Sequence, residues 1–327
     1  MMLRNMGTTG ERVSAIGLGC MGMVGWYGTR DDDEAEATLH RALELGVTHL
    51  DTAAVYQDGD NERFVGDGIR GYRDRVFLAT KCGMARNPEG GIAVDNRPET
   101  IRKSCDASLG RLGTDYIDLF YLHRIDPNVP IAESMGAMAD LVELGKIRYV
   151  GLSEAAPDTL RKAHAIHPVT ALQSELSLWT RASARGSLEV CRELGVAFVA
   201  YSPLGRGFLT GRIQTPEDIP DKDTRRMFPR FSDENFSANR KLALKVTALA
   251  EEKGCTPAQL ALAWVLAQWK GVLPIPGTKK RRYLDENLAA AQVKLTPAES
   301  DAIESEFPES AIAGERYPAS MMGVVNV

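Results

Sequence analysis

Cysteine is the first scarcity. The five present (Cys20, Cys82, Cys105, Cys191 and Cys255) are odd in number, scattered and without a C-x-x-C pair. Neither a disulfide framework nor a zinc site is indicated, and a reducing, cytoplasmic setting fits best. Long apolar runs are missing as well: no stretch approaches the roughly 20 residues that span a bilayer. The N-terminal MMLRNMGTTGERVSAIGLG lacks a charged segment followed by an apolar one, so neither secretion nor a membrane partner is expected. Positive charge is in deficit, with 39 Lys and Arg against 44 Asp and Glu for a net charge of -5, which argues against a nucleic-acid partner. No H-x-H or H-E-x-x-H spacing supports a metal-dependent barrel hydrolase, and no metal ligands are assigned.

What remains is a composition able to build a large core, 44% hydrophobic and 25% charged, over 327 residues. Short apolar runs alternate with longer amphipathic ones almost without pause. After a hairpin turning near Gly7 to Gly10, strands are predicted near Gly17–Cys20, His49–Asp51, Val76–Lys81, Ile117–Leu122, Tyr149–Leu152, Ala171–Glu175, Ala197–Tyr201 and Val272–Ile275. Helical segments such as DDDEAEATLHRALELG, with acids at the start and Gly46 at the stop, lie between them. A doubly wound sheet would carry G-x-G-x-x-G opening a helix; here GLGCMGMVG offers only a loose match and runs on into the loop WYGTRDDD. The reading is therefore α/β, a single (β/α)8 TIM barrel over residues 1–327 with an N-terminal β-hairpin. Two segments interrupt the repeat, a Gly/Pro-punctuated stretch at 202–235 and a tail at 308–327, both candidate walls of a site.

Catalytic groups of a barrel come from the C-terminal ends of its strands. The second predicted strand ends in HLDTAAVY, giving Asp51 and Tyr56; the third ends in Lys81; the fourth, LFYLHR, ends in His123. A lysine buried there needs a carboxylate partner, which Asp51 can supply. A neighbouring ammonium favours phenolate and so lowers the pKa of Tyr56, making it a general acid or base for alcohol and carbonyl chemistry. His123 would orient the substrate oxygen. Any one of these alone reads as packing or surface; the four together do not.

This set, with GLSEA at 151–155, AYSPLGRGFLTG at 200–211 and IPGTKKRRYLDEN at 275–287, resembles the aldo-keto reductases over about nine tenths of the chain. The resemblance implies a barrel that binds NADP, with NADPH preferred over NADH. Hydride passes to an aldehyde or ketone, a small-molecule carbonyl substrate, as Tyr56 protonates the oxygen. It also implies that Ser153 and Gln173 grip the nicotinamide carboxamide and that Tyr201 stacks on the ring, with Gly19, Met21 and Ser202 beside them. Glu154 stands where many relatives have asparagine. Leu204, Gly205 and Gly207 belong to a glycine loop suited to a pyrophosphate. An alternative from another class is a cofactor-binding regulatory or channel-associated subunit with slow turnover.

The run GTKKRRYLDENL places four cations at a helix start, where the dipole disfavours them. A local rule broken in this way points to an anion nearby. By the resemblance that anion is the 2'-phosphate of NADPH, held by Lys280 and Arg282 near Gly277 and Thr278, with Glu286 and Asn287 at the adenine. The family's usual arginine three places before Glu286 is Tyr283 here. Met23, Trp26 and Tyr27 suggest an apolar, aromatic mouth, and Arg225, Arg230 and Phe231 are further residues of the long loop worth locating.

Overall fold

The computed structural model describes residues 1–86, 91–325 and 327. In chain order its elements begin with β1 (Leu3–Asn5), β2 (Arg12–Ser14), β3 (Leu18–Gly19), α1 (Asp32–Glu44), β4 (His49–Asp51), α2 (Asp60–Gly68) and β5 (Phe77–Cys82). They continue with β6 (Met84–Arg86), β7 (Ile92–Val94), α3 (Pro98–Leu112), β8 (Ile117–Leu122), α4 (Ile131–Glu143), β9 (Ile147–Ser153), α5 (Pro157–Ile166) and β10 (Val169–Glu175). The last are α6 (Ala182–Leu194), β11 (Ala197–Tyr201), α7 (Asp233–Lys253), α8 (Pro257–Ala267), β12 (Val272–Pro274), α9 (Arg281–Ala289), α10 (Pro297–Ser305) and α11 (Ala319–Met322).

Local chemistry sets these boundaries. The Asp31 carboxylate accepts the Glu34 amide at the start of α1, and the chain leaves the helix through Gly46 at φ 83°. Proline opens α3, and Gly113 in the left-handed region closes it. Thr256 and Gln259 exchange bonds in a capping box ahead of α8.

Eight strands form one parallel sheet in the order β12-β11-β10-β9-β8-β5-β4-β3. The sheet closes into the expected barrel where the Gly17 amide donates to the Pro274 carbonyl at 2.9 Å and Gly19 pairs with Gly277. Gly19 is required at this seam, because a Cβ there would lie 2.8 Å from the Ile275 carbonyl oxygen. Inside, Phe77, Leu119, Tyr121, Val199 and Leu273 fill the barrel, and Met6 and Val13 of the β1–β2 hairpin join this cluster as a plug. A larger cluster packs the helices onto the outer face of the sheet.

Three features depart from the sequence reading. The third predicted strand runs to Cys82 and is followed by a short antiparallel hairpin, β6–β7; strands of three residues carry no usable periodicity. The stretch after β11 consists of successive 3-10 turns up to Phe231, and α7 begins at Asp233, where Asp233 and Glu234 supply an acidic first turn. Met23 is fully buried in the core and does not line the mouth. The tail is described over 308–325 and 327; Asn326 lies outside the described residues.

Candidate active site

Asp51 and Lys81 close adjacent strands, β4 and β5, whose register places them on the barrel's interior side. The Lys81 Nζ, with no exposure at all, donates to Asp51 Oδ1 at 2.5 Å and to the Thr52 carbonyl at 2.8 Å. The other carboxylate oxygen accepts from Gln173 Nε2, reaching from β10, at 2.7 Å. Two buried opposite charges are thus paired and further hydrogen-bonded, the condition under which such a pair is tolerated.

Tyr56 stands over this pair. It opens a 3-10 turn after β4, its ring 5.2 Å from Lys81 Nζ and edge-on to His123 with ring centres 5.8 Å apart. The expected direction of its acidity is corrected by the structure. Burial, reinforced by the Asp51 carboxylate, pushes the phenol well above its ordinary range, and the lysine does not outweigh them. Tyr56 is therefore a protonated phenol throughout the neutral range. Burial, with Lys81 and Arg124 nearby, holds the His123 imidazole well below its ordinary value, so it is neutral, and its Nδ1 has no partner among the described residues. Lys81 is itself lowered by burial, against the pull of Asp51.

One cavity of about 460 Å³ runs from these residues to the start of α9. Asp51, Tyr56 and His123 line it at one end, with Gly19, Met21, Ser153, Gln173 and Tyr201 beside them. Ser202, Leu204, Gly207, Gly277, Thr278, Lys280, Glu286 and Asn287 continue it. Lys81, Gly205 and Arg282 do not border it. Lys81 lies beneath Asp51. Gly205, at φ 57°, packs against Trp179, where a Cβ would come within 2.7 Å of the ring. The Gly205 and Gly207 amides are taken by the Ser202 and Leu204 carbonyls, so neither N–H is free for an anion. Arg282 lies at an adjoining recess with Thr256 and Gln259.

The basic run divides by function. Lys279 donates to the carbonyls of Tyr27 and Thr29, pinning the loop after β3, and Arg281 pairs with Glu34 of α1 at 2.8 Å. Lys280 and Arg282 have no carboxylate partner among the described residues. Tyr283 sits between two guanidinium groups, with Arg212 3.8 Å and Arg282 4.5 Å from its ring centre; Arg212 also pairs with Glu286 at 2.6 Å.

The wall is backed by residues the sequence reading missed or left open. Glu154, buried at φ 52°, pairs with Arg316 of the tail at 3.1 Å and accepts from Ser174 Oγ, the Glu175 amide and the Tyr201 hydroxyl. Tyr201 also bonds Tyr317 at 2.9 Å. The acid in the asparagine position is thus an anchor for the tail. Arg206 pairs with Glu175 at 3.3 Å and lies over Phe228. Arg225 borders the cavity and pairs with Asp223, whereas Arg230 and Phe231 are buried, Arg230 bonding the Trp179 carbonyl. Among the described residues the non-glycine positive φ values fall at Gln57, Asp58, Glu154, Ser202 and Arg206, all on loops around this cavity. Backbone strain of this kind gathers where surroundings fix it for a function. Arg124, next to His123, was the most readable omission, since a charge directly after a strand-end histidine is visible in LFYLHR.

Comparisons with known proteins converge. The model of the aldo/keto reductase family matches residues 15–306. An NADP(+) aldo-keto reductase of Schizosaccharomyces pombe, yakc, is 44% identical over 314 residues, covering 94% of this chain and 92% of the relative. A probable aldo-keto reductase of Glycine max is also 44% identical, covering 95% and 90%. Among solved structures, a glycerol dehydrogenase from Gluconobacter oxydans superposes with a TM-score of 0.85 at 29% identity, covering 98% of both chains. The holo form of an aldo-keto reductase from Bacillus halodurans gives 0.79 at 28%, covering 98% and 99%. This chain belongs to the aldo/keto reductase family, and so to the NAD(P)H-dependent oxidoreductases that interconvert carbonyl and alcohol groups.

Proposed function

We propose that the chain reduces an aldehyde or ketone with NADPH, Tyr56 acting as the general acid. The observation that carries this reading is the gathering of Tyr56, His123 and the Asp51–Lys81 pair at one end of a cavity whose other end reaches Lys280. The residues fit a dinucleotide: the cavity lining reaches from Tyr56 to Lys280, and among the described residues Lys280 and Arg282 are cations without acidic partners and the Nδ1 of His123 is buried without a hydrogen-bond partner. When bound, the cofactor supplies the hydride. Lys280 and Arg282 would hold its 2'-phosphate, Gly277 and Thr278 the adjacent backbone path, and Glu286 and Asn287 the adenine. Leu204 and Gly207 would face the pyrophosphate, with Gly19, Met21 and Ser202 further along. Ser153 and Gln173 would meet the carboxamide. Tyr201, its hydroxyl fixed by Glu154 and Tyr317, presents a ring held in one plane for stacking.

The chain's own residues account for the proton. A phenol kept protonated by burial holds the proton at Tyr56 Oη until an alkoxide forms beside it. A neutral His123 can orient the carbonyl oxygen without adding charge. Among the neighbouring charges the Arg124 guanidinium favours the phenolate left behind, while the Asp51 carboxylate opposes it. The substrate is a small carbonyl compound. All five cysteines are free, which agrees with a reducing cytoplasm.

Tyr56→Phe is expected to reduce kcat by about a thousandfold, within the range for losing a general acid. NADPH binding, followed by fluorescence titration, should change by less than threefold. Reduction at the unmodified rate by this variant would remove Tyr56 from the mechanism.

A further inference from the structure

We propose that Arg124 recognises a carboxylate carried by the substrate, so that the compounds reduced are oxo acids. The inference rests on the reductase reading above and narrows its substrate.

Arg124 follows His123 at the exit of β8 and is only 6% exposed, yet it lines the cavity beside Tyr56. One terminal nitrogen, Nη1, donates to the His123 carbonyl at 2.7 Å and to Ser153 Oγ at 3.2 Å. These bonds fix the plane of the guanidinium. No carboxylate lies within salt-bridge distance among the described residues, and Nε and Nη2 make no hydrogen bond; neither is sealed off in the way the His123 Nδ1 is. The other arginines on this cavity are neutralised: Arg206 by Glu175, Arg212 by Glu286, Arg225 by Asp223 and Arg86 by Asp58. Glu154, the acid whose field reaches Arg124, is already held by Arg316 and three further donors.

A cation removed from water without a partner is costly, and sites that keep one supply it to a ligand. The cofactor's phosphates would lie at the Lys280 end, so they do not neutralise this group. The anion must come from the substrate side. A guanidinium edge with Nε and Nη2 free matches the two oxygens of a carboxylate. Arg124 is bonded to the His123 carbonyl and lines the same cavity as Tyr56 and His123, which puts the carboxylate near the reacting carbonyl. Trp26, Phe228 and Met321 on the same cavity offer apolar cover to the carbon chain between them.

The test compares a short oxo acid, 4-oxobutanoate, with its methyl ester under saturating NADPH. Wild-type kcat/KM is expected to favour the acid by at least about tenfold, as a charge-assisted bond would. In Arg124→Met that ratio should fall to near one, with Arg124→Lys between. Butanoate should compete with the ester in the wild type and butanamide should not, a measurement that needs no variant to fold. An acid-to-ester ratio unchanged by Arg124→Met, or no preference in the wild type, overturns the assignment and leaves the reductase standing. No turnover of either compound by protein that binds NADPH and reduces a neutral aldehyde likewise overturns the assignment, whereas failure on a panel of neutral aldehydes and ketones as well overturns the reductase reading.

Discussion

The floor and the lid of the cavity both rest on buried ion pairs, but different parts of the fold hold them. On the floor, Asp51 and Lys81 come from neighbouring strands, and Gln173 reaches the same carboxylate from across the barrel. Their distances follow from sheet register and persist as long as the barrel does. In the lid, Glu154 is joined to Arg316 and Glu175 to Arg206, pairs whose second members lie in the tail and in the turns after β11. Those distances persist only while the tail and turns stay docked. Charge geometry inherited from strands suits groups that handle the proton; geometry assembled by loops suits groups that admit and cover a substrate.

Breaking the floor should be the larger injury. Asp51→Leu leaves the Lys81 ammonium only the Thr52 carbonyl among the described residues, and a loss of about 3–5 kcal/mol is expected in urea unfolding, with carbonyl reduction abolished. A loss below about 1 kcal/mol would mean that the lysine is neutral in the folded chain.

The floor also predicts acid sensitivity. Burial lowers His49 to about 4, and neither ring nitrogen has a partner among the described residues. Protons are then bound preferentially by the unfolded chain, so stability is complete above about 6.5 and declines as pH falls toward 4. About 2 kcal/mol should be lost between pH 7 and pH 5 through this residue. His49→Leu should make that slope shallower, the remainder being carried by the buried His123, and an unaltered slope would assign the sensitivity to other groups.

The lid should yield more cheaply. Glu154 keeps three donors when Arg316 is removed, so Arg316→Met is expected to cost about 1–2 kcal/mol. The KM for the carbonyl should rise several-fold while kcat changes little, and limited proteolysis should cut the tail faster. A fall in kcat at constant KM would place Arg316 with the floor.

The same division governs what was readable from the sequence. Strand exits announce themselves as polar residues closing apolar runs, which is why Asp51, Lys81 and His123 stood out and why the barrel could be laid out strand by strand. Arg124 announced itself in the same way and was passed over. The lid pairs were not readable, since nothing near Glu154 names a partner in the tail; only the fold brings Arg316 to it. The sign of the Tyr56 shift was misjudged for a related reason. A neighbouring lysine is visible in sequence, but the depth at which the phenol sits is not, and depth decided the direction. The glycine loop was legible as composition, but which of its amides turn back on themselves was not.

The seam between Gly19 and Gly277 carries a consequence for the birth of the molecule. It unites the first strand of the barrel with the last, so the ring cannot be completed until β12 has left the ribosome. Until then β3 and β11 present raw edges, open to any passing strand, and the nascent chain is exposed to mispairing for nearly the whole of its synthesis.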